Sequence, residues 1–458
     1  MYFKHLYDED LSQGSYLIGC QACAEAIVID PRRDIGVYLA EAAANGMTIT
    51  AVSETHIHAD YLSGARELAA ASGAKLYLSD EGGSDWQYGF DHLPLTDGSV
   101  IDVGNVRLTA VHTPGHTPEH LSFLVTDTAL TEEPGYLLTG DFVFVGDVGR
   151  PDLLDEAAGY VDSRFEGAER LFDSLRETFV TLPDHVQVWP GHGAGSACGK
   201  ALGSVASTTV GYEKLTAWWA GYLARGDKQG FVDELLSGQP DTPTYFGRMK
   251  RWNRDGAQLL GERQPLSELP AASLAGRVNR DIVLLDTRPL SEQRGGSVPG
   301  SLSVPGGSSF VSYASAVVDP EKESRGIILL TSDQSRAHEL RDRLSRVGID
   351  RVDGFITEIG ELPTRPIELV SVAELNEAPT TAFVDVRTLA EHEQGAAPGA
   401  RRIPIGQVLR RLDEIPRGGR VVVYCQAGGR AAAVASALRA RGFSNIIELK
   451  DSENVWRR

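Results

Sequence analysis

The chain is poor in cysteine, in cationic charge and in long apolar runs. Its four cysteines, Cys20, Cys23, Cys198 and Cys425, are too few to hold 458 residues in a disulfide framework. Lysine and arginine number 44 against 63 acids, and the net charge of −19 argues against a nucleic-acid partner, since a phosphate backbone would repel such a surface. An anionic substrate remains possible, because it needs only a local arginine. No run approaches the roughly 18 uninterrupted apolar residues of a membrane helix, so no membrane partner is expected. The opening "MYFKHLYDEDLSQGSYLIG" has early acids and no apolar core with a small-residue cleavage site. No secretory signal is read there, and a cytoplasmic location is expected. "CQAC" (Cys20 to Cys23) has zinc-like spacing but no second Cys/His pair to close four-coordination, and reads as two buried small residues beside a strand.

What is present is an ordinary globular composition, 42% apolar and 23% charged, in a chain long enough for two to four domains. From about residue 15 to 200, strand-like runs ("AIVID", "TITAVSETH", "KLYLS", "VRLTAVHTPGH", "HLSFLV", "YLLTGDFVFVG", "VQVWPGHG") alternate with the Ala-rich, Gly-terminated helical stretches "VYLAEAAANG" and "SGARELAAASG". A largely helical segment follows, from about Ser204 to Leu236. The remainder repeats itself. "IVLLDTRPLSEQRGGSVPGSLSVP" from Ile282 aligns with "TAFVDVRTLAEHEQGAAPGARRIP" from Thr381, pairing Asp286 with Asp385, Arg288 with Arg387 and Pro299-Gly300 with Pro398-Gly399. Further on, Thr331 falls on Cys425 and Arg336 on Arg430. Each copy reads strand, loop, strand, loop, helix, which implies two small α/β modules.

Four short segments end apolar runs with His or Asp beside Gly or Ala: "THIHAD", "TPGHT", "TGD" and "PGHG". They supply His56, His58, Asp60, His112, His116, Asp141 and His192 as candidate metal ligands at the rim of a sheet. This order resembles the metallo-β-lactamase superfamily over about residues 1–250, which implies an αββα sandwich with metal at one edge of two packed sheets. Dinuclear hydrolases of that superfamily, such as glyoxalase II, have His-x-His-x-Asp-His; here the last position is Tyr61. A phenol, with a reference pKa near 10, is a poor ligand, so a single metal ion is the better reading. Two imidazoles and one carboxylate form the facial triad of non-haem Fe(II) oxygenases, with positions left for O2 and a substrate sulfur.

The sequence is also similar to the persulfide dioxygenase branch of this superfamily. That resemblance implies one Fe(II) per chain held by His56, His116 and Asp141, with His58, Asp60, Tyr61 and His192 around them holding water or orienting the ligands. His112 is expected to be structural. "GDVGRPD" resembles the family segment whose arginine holds the substrate carboxylate, making Arg150 the substrate anchor. Glutathione-using members have a tyrosine after the last histidine, whereas this chain has "PGHGAGSACGK". A different low-molecular-weight thiol then becomes plausible, and Cys198 either forms a mixed disulfide with substrate or is inert.

"YCQAGGRAA" (Tyr424 to Ala432) follows "RVVV" and opens an Ala-rich helix. Such a loop can wrap backbone N–H groups around one sulfur and, with the helix N-terminus, depress the thiol pKa and stabilise a persulfide anion at Cys425, while Arg430 adds positive charge. With "DVR" and "PGA", it resembles the rhodanese sulfurtransferases over residues 366–458. The copy at 264–363 has Thr331 in place of the nucleophile, and a hydroxyl carries no transferable sulfane sulfur.

The expected protein is a multidomain α/β chain: an αββα sandwich (1–250), an inactive rhodanese-like domain (264–363) and a rhodanese domain (366–458). Its expected activity is oxidation of a small-molecule thiol persulfide with O2 to sulfite and thiol, coupled to sulfur exchange with thiosulfate or sulfite through Cys425, in sulfide oxidation. A homo-oligomer is expected. The alternative is a dinuclear zinc thioester hydrolase of glyoxalase II type; a non-catalytic scaffold that senses through Cys425 fits the ligand set least.

Overall fold

In the computed structural model, residues 1–153, 163–375 and 381–450 are described, and they form two compact units. The first comprises Met1–Thr242 with Phe246–Gly261. Six strands, Tyr2–Asp8, Gln13–Cys20, Glu25–Ile29, Thr48–Ser53, Lys75–Ser79 and Leu93–Leu95 (β1–β6), pair in chain order. A second sheet holds Val100–Val103, Val106–His112, Leu121–Asp127, Tyr136–Gly140, Gln187–Pro190 and Thr208–Thr209 (β7–β12), in the order β12-β11-β10-β9-β8-β7.

The two-residue period of a strand sorts the side chains into layers. Tyr16, Ile18, Ile27 and Ile29 meet Leu108, Phe123, Val125 and Leu138 between the sheets. Their neighbours Leu17, Val28 and Val52 instead pack with Tyr38, Ala42 and Leu68 of the helices Gly36–Ala44 (α1) and Ala65–Ser72 (α2). α2 stops at Gly73, whose φ of 72° is left-handed, a conformation glycine adopts without steric cost. On the far face, Leu137 and Val188 pack with Leu171, Phe172 and Leu175 of Ser163–Glu177 (α3) and with Phe231 and Leu235 of Lys228–Leu236 (α4). The result is the αββα sandwich expected from the sequence.

The first unit runs to Gly261, past position 250, for a physical reason. Asn253, on the helix Phe246–Asp255 (α5), donates to the carbonyls of His58 and Tyr61 (both 2.7 Å) and accepts from the Ser63 N–H (2.9 Å). The helix therefore clamps the loop that follows β4. Beyond it, the Leu260 and Gly261 N–H groups donate to Glu67.

The second unit, Pro243–Tyr245 with Glu262–Arg458, contains two sheets. Ile282–Asp286, Leu302–Ser303, Gly326–Leu330 and Val352–Ile356 (β13–β16) take the parallel order β14-β13-β15-β16. Leu369–Val370, Thr381–Asp385, Arg401–Arg402, Arg420–Tyr424 and Ile446–Leu449 (β17–β21) take the order β17-β21-β20-β18-β19. Apart from the added β17, the two orders coincide, so the sequence repeat is a structural repeat. The shared Asp-x-Arg is a clamp on a buried aspartate in both. Arg288 binds Asp286 (2.9 and 2.6 Å) and the Gly296 carbonyl, as Arg387 binds Asp385 (2.9 and 2.7 Å) and the Gly395 carbonyl. Parts of the expected domains at 154–162, 376–380 and 451–458 lie outside the described residues.

In the first unit the candidate ligands all follow strand ends: His56 after β4, His116 after β8, Asp141 after β10 and His192 after β11. Gly149 is packed into this rim. A Cβ there would lie 1.9 Å from the Asp141 carbonyl oxygen and 3.0 Å from His116 Cβ. Because both neighbours are anchored, Gly149→Ala is expected to destabilise the fold by about 1–3 kcal/mol, read as a lower urea midpoint, and to reduce bound metal.

Candidate metal centre

Asp141 is fully buried, and neither of its carboxylate oxygens has a hydrogen-bond partner among the described residues. Its Oδ2 lies 3.5 Å from His116 Nε2 and 4.0 Å from His56 Nε2, and the three ligand atoms all lie within 4.8 Å of one another. Burial, the first cause, together with neighbouring imidazoles, holds His56 well below the ordinary histidine pKa; burial also lowers His116. Both rings are therefore neutral, with one nitrogen lone pair each.

Hydrogen bonds fix which nitrogen carries that lone pair. His116 Nδ1–H donates to the Arg150 carbonyl (3.0 Å), leaving Nε2 bare. Thr55 Oγ1 gives its proton to Asp30 Oδ2 (2.9 Å), so it accepts from His56 Nδ1–H (3.0 Å) and again leaves Nε2 bare. Two bare imidazole nitrogens and two orphaned carboxylate oxygens in a dry site suit a divalent cation.

Several supporting residues had no motif to announce them. Asp30 ends the run "AIVID" at a left-handed φ of 53°. It accepts from Thr55 N–H (2.7 Å), Thr55 Oγ1 and His58 Nε2 (3.1 Å). His58 thus turns away from the ligand cluster toward Asp30, whose charge, against the opposing effect of burial, raises its pKa to about 9. His120 stacks on His56 at 5.1 Å, and its Nε2 accepts the Asp141 N–H (3.1 Å), fixing the ligand's backbone. Tyr61 packs on His58 and donates to the Asp30 carbonyl (3.2 Å). Burial raises its pKa well above the ordinary value, so it stays a neutral phenol outside the cluster. His112 Nε2–H donates to the Pro118 carbonyl (2.8 Å), within its own loop.

Several sequence expectations change. Replacement of the third histidine of that motif by Tyr61 does not leave that side bare of donors, because Asp60, His192 and Cys198 form a second buried cluster with ligand atoms within 4.8 Å. His192 Nδ1–H donates to the Ser12 carbonyl (3.0 Å), and its Nε2 lies 3.3 Å from Asp60 Oδ2 and 3.6 Å from Asp141 Oδ1. Burial lowers its pKa, but the two carboxylates outweigh that and raise it, while burial and the same carboxylates push the Cys198 thiol well above its ordinary value. Arg150 also departs from its expected role as a substrate anchor. Its five guanidinium N–H groups meet five acceptors: both Asp152 oxygens, the Ala197 (3.0 Å) and Pro240 (2.7 Å) carbonyls, and Thr242 Oγ1 (3.4 Å). It ties the Cys198 loop to 240–242 and has no donor left for a substrate. "CQAC" differs too, with Cys20 buried but Cys23 exposed.

In the second unit Cys425 is buried at the end of β20, and the Ala431 N–H of helix Gly429–Ala440 donates to its Sγ (3.3 Å). Arg430 does not lend the loop a free charge. It forms a two-pronged pair with Glu391 (2.6 and 2.6 Å), and this pair, with the Thr388 N–H, overcomes burial to hold Glu391 at about 2. In the other module the equivalent helix, Gln334–Ser345, is capped by Asp333, whose carboxylate accepts the Arg336 N–H (2.9 Å). Thr331 stands at the position of Cys425 in this module.

Comparison with known proteins agrees with this division. The metallo-β-lactamase superfamily matches residues 10–192, and the rhodanese-like domain family matches 369–458. The crystal structure of a metallo-β-lactamase from Staphylococcus aureus subsp. aureus COL is 38% identical, with a TM-score of 0.68, covering 78% of this chain and 98% of that one. A hydroxyacylglutathione hydrolase of Polaromonas sp. is 35% identical over 39% of this chain and 61% of its own length. The mitochondrial persulfide dioxygenase of Bos taurus is 28% identical over 41% of this chain and 67% of its own. The chain belongs to the metallo-β-lactamase superfamily. It carries that domain at its N-terminal end and a rhodanese-like domain at its C-terminal end.

Asp30 should be the keystone of the ligand shell. His58 is raised from 6.5 to about 9, so the stability it contributes is complete below pH 6.5 and is lost as pH rises through about 9. Chelator-treated protein is expected to lose stability across that window, and Asp30→Asn should flatten the slope. The same variant should weaken metal binding about 10- to 100-fold through loss of the Thr55–His56 relay, measured by competition with a chelator.

Proposed function

We propose that the first unit is a mononuclear Fe(II) persulfide dioxygenase and that Cys425 is the nucleophile of a sulfane-sulfur transferase. The observation that carries the reading is the pair of neutral, Nε2-bare imidazoles facing an unpartnered carboxylate, in one chain with a cysteine at a helix N-terminus. His56, His116 and Asp141 would hold the ion. Ferrous iron there would supply the redox chemistry with O2 that zinc lacks. The balanced reaction is RSSH + O2 + H2O → RSH + SO3²⁻ + 2H⁺. The protein's own part is positional: Thr55 and Asp30 orient His56, the Arg150 carbonyl orients His116, and His120 holds Asp141. A cleft of about 350 Å³ is lined by Gly82, Trp86, Gly115 and Arg170, of which Gly115 precedes His116 in sequence. The likeness to the Bos taurus persulfide dioxygenase and the rhodanese-like domain support the same conclusion.

At Cys425 the thiolate would attack the outer sulfur of thiosulfate, forming a cysteine persulfide as the S–S bond breaks and sulfite leaves with the electron pair. A small thiol then takes the sulfur; the reverse sequence consumes sulfite. A second reading, a dinuclear zinc thioester hydrolase, is favoured by the Asp60–His192–Cys198 cluster and by the hydroxyacylglutathione hydrolase likeness.

Asp141→Ala should abolish both iron content and oxygen uptake with a persulfide; a variant keeping both would refute the ligand assignment. Cys425→Ser should end thiosulfate:thiol transfer while leaving oxygen uptake on a preformed persulfide nearly unchanged. Retained transferase activity would place the nucleophile elsewhere, with Cys198 the first suspect.

A further inference from the structure

The upstream module has lost its nucleophile, yet two of its side chains reach the Cys425 loop. The loop ends in Gly428 and Gly429, where a Cβ would meet side chains of that module. A Cβ on Gly428 would lie 2.6 Å from Arg294 Nη2 and 3.4 Å from Leu290 Cδ2. One on Gly429 would lie 2.8 Å from Tyr313 Oη and 3.0 Å from Tyr313 Cε2. Arg294 comes from the short helix Leu290–Gly295 and Tyr313 from Phe310–Val317, both on the Thr331 side of the repeat. The packing between the modules is specific: Ser303 N–H donates to Ser436 Oγ (2.9 Å) and Asn279 to the Ala440 carbonyl (2.8 Å).

The charge balance at the loop gives these contacts a role. Exchange with thiosulfate at Cys425 brings sulfite, an oxyanion, as leaving group or, in reverse, as acceptor. Arg430, the cation of the loop itself, is neutralised by Glu391. Arg294 makes no salt bridge among the described residues; the carboxylate that feels its charge, Glu448, is already paired with Arg439 (3.0 Å), and the Arg294 Nε is buried without a hydrogen bond. Tyr313 feels the charges of both Cys425 and Arg430, and burial raises its hydroxyl, which therefore remains a protonated donor.

We propose that Arg294 and Tyr313 form the sulfur-oxyanion site of Cys425, so that the inactive module supplies substrate specificity to the active one. The guanidinium carries the positive charge that recognises sulfite or the sulfonate end of thiosulfate, the Tyr313 hydroxyl donates one hydrogen bond, and the first N–H groups of the Gly429–Ala440 helix hold the sulfur end. The proposal rests on the sulfurtransferase reading of Cys425, but its test does not require turnover.

In the full-length protein, alkylation of Cys425 by iodoacetate and by iodoacetamide is followed on its own peptide by mass spectrometry. The two reagents differ in charge and little in size. Arg294→Gln should slow iodoacetate about tenfold while leaving iodoacetamide within about twofold. Arg294→Lys, which keeps the charge, should restore much of the preference for the anion. In turnover, Arg294→Gln should raise the KM for thiosulfate without changing the KM for the acceptor thiol, and Tyr313→Phe should do the same to a smaller degree. Equal slowing of both reagents, or no change in either, would overturn the proposal by reducing the contacts to packing. An absence of transferase activity in the unaltered protein would count against the reading of Cys425 and leave the alkylation ratio to decide the role of Arg294.

Discussion

A buried carboxylate without a hydrogen-bond partner is the constraint around which the first unit is built. Leaving such a group unpaired costs several kcal/mol, roughly, in a low-dielectric interior. Asp141 has both oxygens in that condition, and the sandwich holds it there by its backbone, through the His120 ring and the close approach of Gly149. The two imidazoles that face it are neutral and turned by further hydrogen bonds so that a lone pair, not a proton, points inward. This donor set suits a cation. Binding energy for that cation and correct folding of the rim are the same quantity read in two experiments.

The surroundings divide into a side that favours metal and a side that favours protons. His56 and His116 are lowered by burial; His192, between two carboxylates, is raised, and Cys198 keeps its thiol proton. Tyr61, which stands in place of a histidine, lies outside both clusters of ligand atoms. In the second unit the same economy appears in the repeat: an Asp-x-Arg clamp is kept in both modules, while the loop chemistry is kept in one.

Much of this was legible in the sequence because the ligands sit at strand ends, where an apolar run stops at His or Asp beside small residues. The αββα layering follows from alternation in runs such as Tyr16 to Ile18, and the repeat from aligned Asp, Arg and Pro-Gly positions. What stayed hidden has a common cause, distance along the chain. Asn253 clamps the His58 loop from about two hundred positions away. The acceptors of Arg150 come from residues 152, 197, 240 and 242, and no local reading shows that its five donors are already used. Asp30 and His120 are single polar residues beside strands, indistinguishable by pattern from structural ones. The partnership of Arg430 with Glu391 likewise joins two segments 39 positions apart.

The central claim, one redox-active ion in a site that has donors for two, is tested most directly by metal content. Protein produced without added zinc and purified under argon should contain about one iron per chain, and its oxygen uptake with a persulfide should rise in proportion to that iron. Two zinc ions per chain, with thioester hydrolysis and no oxygen uptake after iron loading, would contradict the account.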